Sequence, residues 1–249
     1  MRIKVVGESM LGTREEQQDA FLYRVTDQIS FAVVCDGMGG LSGGSIASQL
    51  VVKTFKEDIL KHCPIQDVPA FLHEEALRLD QEVYYLQDET GAWLHAGTTI
   101  VVAVIINDQF YFMSVGDSRL FMRRGSGMLS VTREHNYRLQ LEDYRKNGII
   151  SEKEYELALA ERGEALISYL GYGNISVMDV SRKPITLLPG DRLLLCSDGL
   201  TKIFSEEELK DMICRNQDIE HCNVEIKNMI HRKQLRNQDN TTYVLVELI

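Results

Sequence analysis

Three aspartates each stand at one end of a strongly apolar run, and this feature constrains the fold most. Asp36 ends the run FAVVCD, Asp198 ends LLLCSD, and Asp239 begins DNTTYVLVEL. A carboxylate at the end of a buried strand loses hydration at a high cost in free energy unless a positive group meets it. We therefore expect the strands to bring these carboxylates together around a cation, and a metal centre is the leading hypothesis.

The length and the charge of the chain limit its class. The 249 residues contain no linker rich in Pro, Gly or Ser, so we interpret residues 1–249 as one domain. The formal net charge of -10 argues against nucleic acid as a partner, because phosphate backbones bind clustered Lys and Arg. Since no signal-like N-terminus or membrane-spanning apolar run is present, we expect a cytoplasmic protein that does not bind membranes. We expect a monomer, because the chain is one domain with a large negative charge.

Apolar runs rich in Val, Ile, Phe and Tyr predict a high sheet content. The predicted strands lie near residues 2–9, 19–25, 29–35, 98–106, 109–116, 118–124, 128–131, 191–196 and 241–248. Helical periodicity predicts two long helices, at 45–62 and 68–89, that pack side by side against a sheet, and two later ones at 205–212 and 218–232. The polar stretch 136–173 interrupts the strand pattern, and we interpret it as a mobile surface flap.

Each candidate motif has an ordinary structural explanation when it is taken alone. The segment DGMGG at 36–40 could be a glycine-rich turn, and Asp198 and Asp239 could belong to common turns. Their coincidence at the ends of three apolar runs favours a shared site. Asp117 lies between two predicted strands and is either a turn residue or a further carboxylate of that site.

A basic and an acidic residue also mark the start of the second predicted strand. Arg14 lies five residues before Asp19. A guanidinium presents a planar fork that can hold two oxygens of a phosphate, and Asp19 could join a metal shell. The alternative is a solvated charged loop, which we favour for Glu15 and Glu16.

Taken in order, these motifs resemble those of the metal-dependent serine/threonine protein phosphatases of type 2C, in their compact bacterial form. The resemblance spans almost the whole chain. It rests on REEQQD at 14–19, DGMGG at 36–40, GTT at 97–99, GDSR at 116–119, SDGL at 197–200 and DNTT at 239–242. Each motif alone is weak, whereas the ordered series is highly specific.

The resemblance implies an α-β-β-α sandwich, with two mainly antiparallel sheets flanked by helices and a metal site at one end. It implies two Mn²⁺ or Mg²⁺ ions and a third, weaker one. The implied metal ligands are Asp19, Asp36, Gly37 through its carbonyl, Asp117, Asp198 and Asp239. Asp36 and Arg14 are the implied catalytic residues, and Arg14 also binds the phosphate.

The implied reaction is hydrolysis of phosphoserine and phosphothreonine in proteins by a metal-activated water, acting against a bacterial Ser/Thr kinase or its targets. Met38 stands where animal members carry a histidine, so the leaving group takes its proton from water or from another acid. A cysteine-dependent phosphatase is set aside, because no cysteine is followed by five residues and then arginine. The remaining alternative is a non-catalytic regulator that binds phosphoproteins with the same fold.

Overall fold

Two stacked β-sheets lie between layers of helices. The structure is a computed structural model, and it describes residues 2–39, 43–233 and 235–249. The strands are β1 (Ile3–Met10), β2 (Asp19–Val25), β3 (Ser30–Met38), β4 (Gly97–Thr98), β5 (Ile100–Ile106), β6 (Gln109–Val115), β7 (Arg119–Arg124), β8 (Gly127–Ser130), β9 (Asp179–Val180), β10 (Ile185–Thr186), β11 (Arg192–Cys196) and β12 (Thr241–Leu248). The helices are α1 (Gly43–Lys61), α2 (Val68–Tyr84), α3 (Tyr137–Lys146), α4 (Glu152–Arg162), α5 (Asp198–Ile203), α6 (Glu206–Arg215) and α7 (Ile219–Lys233). Gly40, the last residue of the DGMGG motif, lies outside the described residues.

Both sheets are antiparallel. The first has the strand order β1-β12-β11-β7-β8, and the second has the order β10-β6-β5-β3-β2, with β4 beside β3 and β9 beside β6. Asn107 lies in the turn that closes the hairpin of β5 and β6, and its φ of 59° is one that asparagine tolerates. Gly116-Asp117 does not join paired strands, because β6 belongs to the second sheet and β7 to the first.

The side chains of each central strand alternate between two cores. On β3, Phe31, Val33 and Cys35 pack toward α1 and α2, whereas Ala32 and Val34 pack against the first sheet. The other face of the first sheet packs on α5, α6 and α7. This arrangement is the predicted α-β-β-α sandwich, and it explains why its strands appear in the sequence as continuous apolar runs.

Most predicted elements are present, and the differences have local causes. The second helix ends at Tyr84 rather than at 89, because the chain turns there and Gln87 forms a β-bridge with Trp93. The Asp198-Gly199 pair begins the short helix α5 and is not a simple turn. The predicted flap, 136–173, contains α3 and α4 and returns to the sandwich through a bridge between Thr98 and Leu170.

The helices were also compared with the requirements of a bilayer. Across the part of the chain that the structure describes, no helix is both long enough and apolar enough to cross a membrane.

Candidate metal centre

Asp19 and Asp36 lie opposite each other on neighbouring strands. Asp19 opens β2, and the antiparallel register pairs it with Asp36 near the end of β3. The main chain of Asp36 is fixed from the other side, since its N–H donates to Thr99 Oγ1 (3.0 Å) and its carbonyl accepts from the Thr99 N–H (2.8 Å) and from Thr98 Oγ1 (2.9 Å). The two carboxylates are therefore held side by side at one end of the second sheet.

Asp198 and Asp239 enter from the first sheet. Asp198 begins α5 just after β11, and Asp239 lies two residues before the neighbouring strand β12. A Cβ at Gly199 would collide with the carbonyl of Asn240, so glycine is required for α5 to lie against this segment. Beside Asp198, the hydroxyl of Ser197 donates to Asp19 Oδ2 at 2.8 Å and links the two sheets at this end.

Asp117 lies where the chain crosses from the second sheet to the first. Gly116 precedes it with a φ of +106°, a left-handed conformation that favours glycine, and a Cβ there would collide with the side chain of Thr99. The hydroxyl oxygens of Thr99 and Ser118 are 2.6 Å apart. The threonine that fixes Asp36 thus also fixes the segment that carries Asp117.

The five carboxylates repel one another. Burial raises the pKa of Asp36 well above its usual range, and the charges of Asp19, Asp198, Asp117 and Asp239 raise it further. Burial also raises the pKa of Asp19 to about 6 and that of Asp117 to about 7, and Asp198 adds repulsion in both cases. Buried carboxylates in such a cluster are stabilised by a cation.

Two basic side chains neutralise part of this charge. Arg14 Nε lies 2.9 Å from Asp239 Oδ1, and the Lys202 ammonium pairs with Asp198 and lies 3.1 Å from Asp239 Oδ2. Burial alone would raise the pKa of Asp239, but hydrogen bonds from Arg14 and Lys202 outweigh it and lower that pKa. Asp239 is therefore ionised and paired at neutral pH.

The donor atoms fit a hard divalent cation. Asp19 Oδ1 and Asp198 Oδ1 are buried and have no hydrogen-bond partner among the described residues. Carboxylate and carbonyl oxygens are the ligands that Mg²⁺ and Mn²⁺ prefer. Within residues 2–39, 43–233 and 235–249, however, no three His, Cys, Asp or Glu side chains stand close enough to enclose an ion as they are. Two of these carboxylates are engaged by basic side chains, since Lys202 pairs with Asp198 and Asp239 and Arg14 pairs with Asp239.

Two clefts open onto these residues. The first, of about 580 Å³, is lined by Arg14, Asp36, Gly37 and Asp239 among others. The second, of about 370 Å³, is lined by Asp117, Asp198 and Lys202 among others. The structure thus brings six of the seven predicted site residues to these two clefts. The seventh, Asp19, is buried beside them and hydrogen-bonded to Ser197.

Three residues of the site, Lys202, Thr99 and Ser197, had no predicted role. Lys202 follows Asp198 at the i,i+4 spacing, but this spacing is informative only within a helix, and α5 had not been predicted. Thr99 and Ser197 contact residues 63 and 178 positions away in the chain. Separations of that size give no local signal in one sequence.

Comparisons with known proteins agree with this architecture. The serine/threonine phosphatase stp of Listeria welshimeri is 25% identical over 225 residues, which cover 89% of this chain and 85% of the relative. The serine/threonine phosphatase of S. agalactiae has the same fold, with a TM-score of 0.81 and 23% identity over 100% of both chains. The catalytic domain of the phosphatase PstP, solved with 2 manganese ions, has a TM-score of 0.76 and 22% identity over 98% of this chain and 97% of its own.

The family assignment rests on the match to a whole family rather than to single relatives. The sequence profile of the family described as protein phosphatase 2C matches residues 6–238, which is nearly the full length of the chain. This chain therefore belongs to the protein phosphatase 2C family.

Proposed function

We propose that the carboxylates of Asp36, Asp198 and Asp239 and the carbonyl of Gly37 hold two Mn²⁺ or Mg²⁺ ions, and that Asp117 helps to hold a third, weaker one. Asp19 supports them from behind, where Ser197 fixes one of its oxygens. The protein is a serine/threonine protein phosphatase of type 2C. The proposed metal residues would carry its chemistry.

The convergence of five aspartates at one end of the sandwich is the observation that carries this proposal. Their mutual repulsion raises the pKa values of Asp36, Asp19 and Asp117, although Arg14 and Lys202 already offset part of the charge. A structural role would not require five carboxylates at one place with only two basic side chains to offset them. The PstP structure, which has the same fold and holds 2 manganese ions, supports a divalent metal for this chain.

Arg14 is the residue that we propose binds the phosphoryl group. Its side chain is 59% exposed and lines the larger cleft, and its contact with Asp239 uses Nε. The terminal nitrogens of the guanidinium can then take two phosphoryl oxygens, with Asp239 holding the fork in place. Arg14 would thereby orient the group and neutralise part of its charge.

Divalent ions bound at this site would acidify a water molecule and offset the charge of the phosphoryl group. The contribution of the protein is placement. Thr98 and Thr99 hold the main chain of Asp36, and Gly37 lets β3 approach the first turn of α1, where a Cβ would collide with the carbonyl of Gly44. In this scheme catalysis comes from positioning and from charge stabilisation.

Hydrolysis of para-nitrophenyl phosphate tests the proposal. The wild type and Asp198→Ala would be assayed with Mn²⁺, with Mg²⁺ and with chelator. Turnover that needs metal and collapses in the variant is the expected result. Folded wild-type protein without turnover under any metal would overturn the proposal and favour the phosphoprotein-binding regulator, which the comparisons do not favour.

The finer predictions extend the same proposal. Phosphorylated proteins are the substrates of a protein phosphatase, and we propose that they include a Ser/Thr kinase or its targets. A cytoplasmic monomer, a single catalytic domain with a mobile flap at 136–173, and a lack of binding to nucleic acid or membranes also stay predictions.

A further inference from the structure

Five aromatic side chains form two neighbouring groups on the surface, which together we call the aromatic row: Trp93, Tyr85 and Tyr84 in one group, and Tyr172 and Tyr169 in the other. The ring centroids of Trp93 and Tyr85 are 5.8 Å apart, those of Tyr85 and Tyr84 are 5.1 Å apart, and those of Tyr172 and Tyr169 are 5.5 Å apart. Between these groups, the Tyr84 ring packs so closely on Gly173 that a Cβ there would collide with it. The two groups therefore adjoin at Gly173, so that the row extends from the loop after α2 to the end of the flap.

The row is unusually exposed for aromatic residues in contact with one another. The exposed fractions are 50% for Trp93, 58% for Tyr85, 50% for Tyr84 and 54% for Tyr172. Single exposed apolar side chains are ordinary, whereas a contiguous group of them marks an interaction surface. Tyrosine and tryptophan are also the residues that contribute most to protein recognition, because they are large and lose little conformational entropy on binding.

One end of the row lies beside the proposed active site. The Tyr169 ring packs on Gly97, and Gly97 pairs in register with Met38, two residues after Asp36. Thr98 and Leu170 exchange two main-chain hydrogen bonds, of 3.0 and 2.9 Å, which attach the segment of Tyr169 to this strand. A protein chain bound with its phosphoresidue at the proposed metal site would therefore have the Tyr169 end of the row close to it.

A buried carboxylate fixes the shape of the row. Asp80, on α2, is 1% exposed and accepts from the N–H groups of Gly171 (2.8 Å), Gly173 (3.0 Å) and Ile175 (3.3 Å). Gln81 Nε2 also donates to the carbonyl of Gly173 at 2.7 Å. The backbone that carries Tyr172 is thus tied to the helix that carries Tyr84, so the surface is formed before a ligand arrives.

We propose that the aromatic row is a substrate-docking surface, which binds an apolar or aromatic side chain on the segment that flanks the phosphoserine or phosphothreonine. This inference rests on the proposed function, because the occupant is the protein substrate itself. We assign the substrate as the occupant because the Tyr169 end of the row adjoins the proposed site of phosphate hydrolysis. The acidic residues Asp88 and Glu89, in the turn between Tyr85 and Trp93, make Lys or Arg suitable neighbours of that side chain.

The test compares three substrates in the full-length enzyme with Mn²⁺. They are a phosphothreonine peptide library with Trp or Leu at successive flanking positions, the matched peptides with Gly there, and para-nitrophenyl phosphate, which is too small to reach Trp93. The variant is Tyr85→Ala/Trp93→Ala, and the control is Tyr23→Ala, which removes a ring 41% exposed on β2. We expect kcat/KM of the variant to fall about tenfold on the preferred apolar peptide, mainly through KM.

The three substrates separate the possible outcomes. Wild-type rates of the variant on the glycine peptides and on para-nitrophenyl phosphate, with no effect of Tyr23→Ala, would support docking. An equal fall on all substrates would show that the rings only support the fold, and unchanged rates on every peptide would show that nothing docks there. Either result overturns the inference. Wild-type enzyme that does not hydrolyse para-nitrophenyl phosphate would instead overturn the proposed function, and the inference with it.

Discussion

Charged side chains lie at both ends of the neighbouring strands β11 and β12, and the two ends are built in opposite ways. Arg192 and Glu247 face each other in register at one end, where Arg192 Nε donates to Glu247 Oε1 at 2.7 Å. Both residues are buried, and the remaining guanidinium nitrogens donate to three main-chain carbonyls. At the other end, Asp198 and Asp239 approach three further carboxylates, and one oxygen of Asp198 has no hydrogen-bond partner among the described residues.

The difference distinguishes a structural charge from a functional one. A buried ion pair with all its hydrogen bonds made stabilises the native arrangement only as long as both partners are present. A cluster of like charges instead destabilises the fold until a ligand meets it, and such sites are typical of catalysis. Variants at the two ends are therefore expected to separate activity from stability.

The largest effect is expected at the acidic end. Asp36→Asn removes a central proposed metal ligand, so we expect kcat/KM on para-nitrophenyl phosphate to fall about a thousandfold or more. The thermal midpoint in chelator is expected to stay or to rise, because the substitution removes repulsion among carboxylates. Calorimetry and steady-state kinetics on the same sample would check both, and a variant within tenfold of wild-type activity would contradict the assignment.

At the end with Arg192 and Glu247 we expect the reverse, a loss of stability without a loss of activity. Arg192→Met leaves Glu247 buried without its partner, and we expect the free energy of unfolding to fall by about 3–5 kcal/mol. Urea denaturation measures this loss, and the activity per folded molecule is expected to stay at the wild-type level. The double variant Arg192→Met/Glu247→Leu serves as the control, since it removes both charges and is expected to recover the part of the loss that comes from the unpaired carboxylate, while the three carbonyls stay without their donor. A stable single variant would mean that the pair is not structural.

A substitution of Lys202, at the acidic end, tests whether its positive charge competes with the metal. Its ammonium occupies oxygens of Asp198 and Asp239 that a metal would use, so Lys202→Gln is expected to tighten Mn²⁺ binding about fivefold. The same variant is expected to melt at a lower temperature in chelator. Isothermal titration calorimetry would compare it with Lys210→Gln, which removes an equal charge from an exposed position on α6. Weaker metal binding would show that Lys202 orients the carboxylates instead of competing for them.

The smallest effect concerns Asp179, a satisfied carboxylate nearer to the solvent. Burial alone would raise its pKa, but the His135 ring, 3.6 Å away, and hydrogen bonds from Arg133 outweigh burial and hold the pKa well below the ordinary 3.8. A lowered folded-state pKa gives stability that is present above pH 3.8 and is lost as the pH falls further. Asp179→Asn is therefore expected to be less stable than the wild type at pH 7, with the gap closing below about pH 4. A gap that is constant with pH would show that the charge plays no part.

The aspartates of the acidic end can be picked out from the sequence, whereas the pair of Arg192 and Glu247 at the other end cannot. Asp36, Asp198 and Asp239 stand out because each lies at one end of an apolar run, where a carboxylate loses hydration at a cost in free energy unless a positive group meets it. Arg192 and Glu247 are single charges within such runs, and their pairing depends on the register of β11 with β12. Register, and contacts such as that of Ser197 with Asp19, are set by tertiary packing, so no periodicity in the chain reveals them.

The aromatic row was not predicted for the same reason. Tyr84, Tyr85 and Trp93 lie close in sequence, but Tyr169 and Tyr172 join them only because Asp80 binds the end of the flap region to α2. The helix α5 was missed because Asp-Gly is a common turn signal, and only the packing of Gly199 on Asn240 shows why the pair begins a helix there.

The number of manganese ions bound per chain tests the central claim most directly. Equilibrium dialysis followed by metal analysis would be carried out on the wild type, on Asp36→Asn and on Arg192→Met/Glu247→Leu. The account predicts about 2 ions for the wild type, as in the PstP structure, the same number for the double variant, and a loss of bound metal for Asp36→Asn. Equal manganese content in the wild type and Asp36→Asn, or none in the wild type, would contradict it.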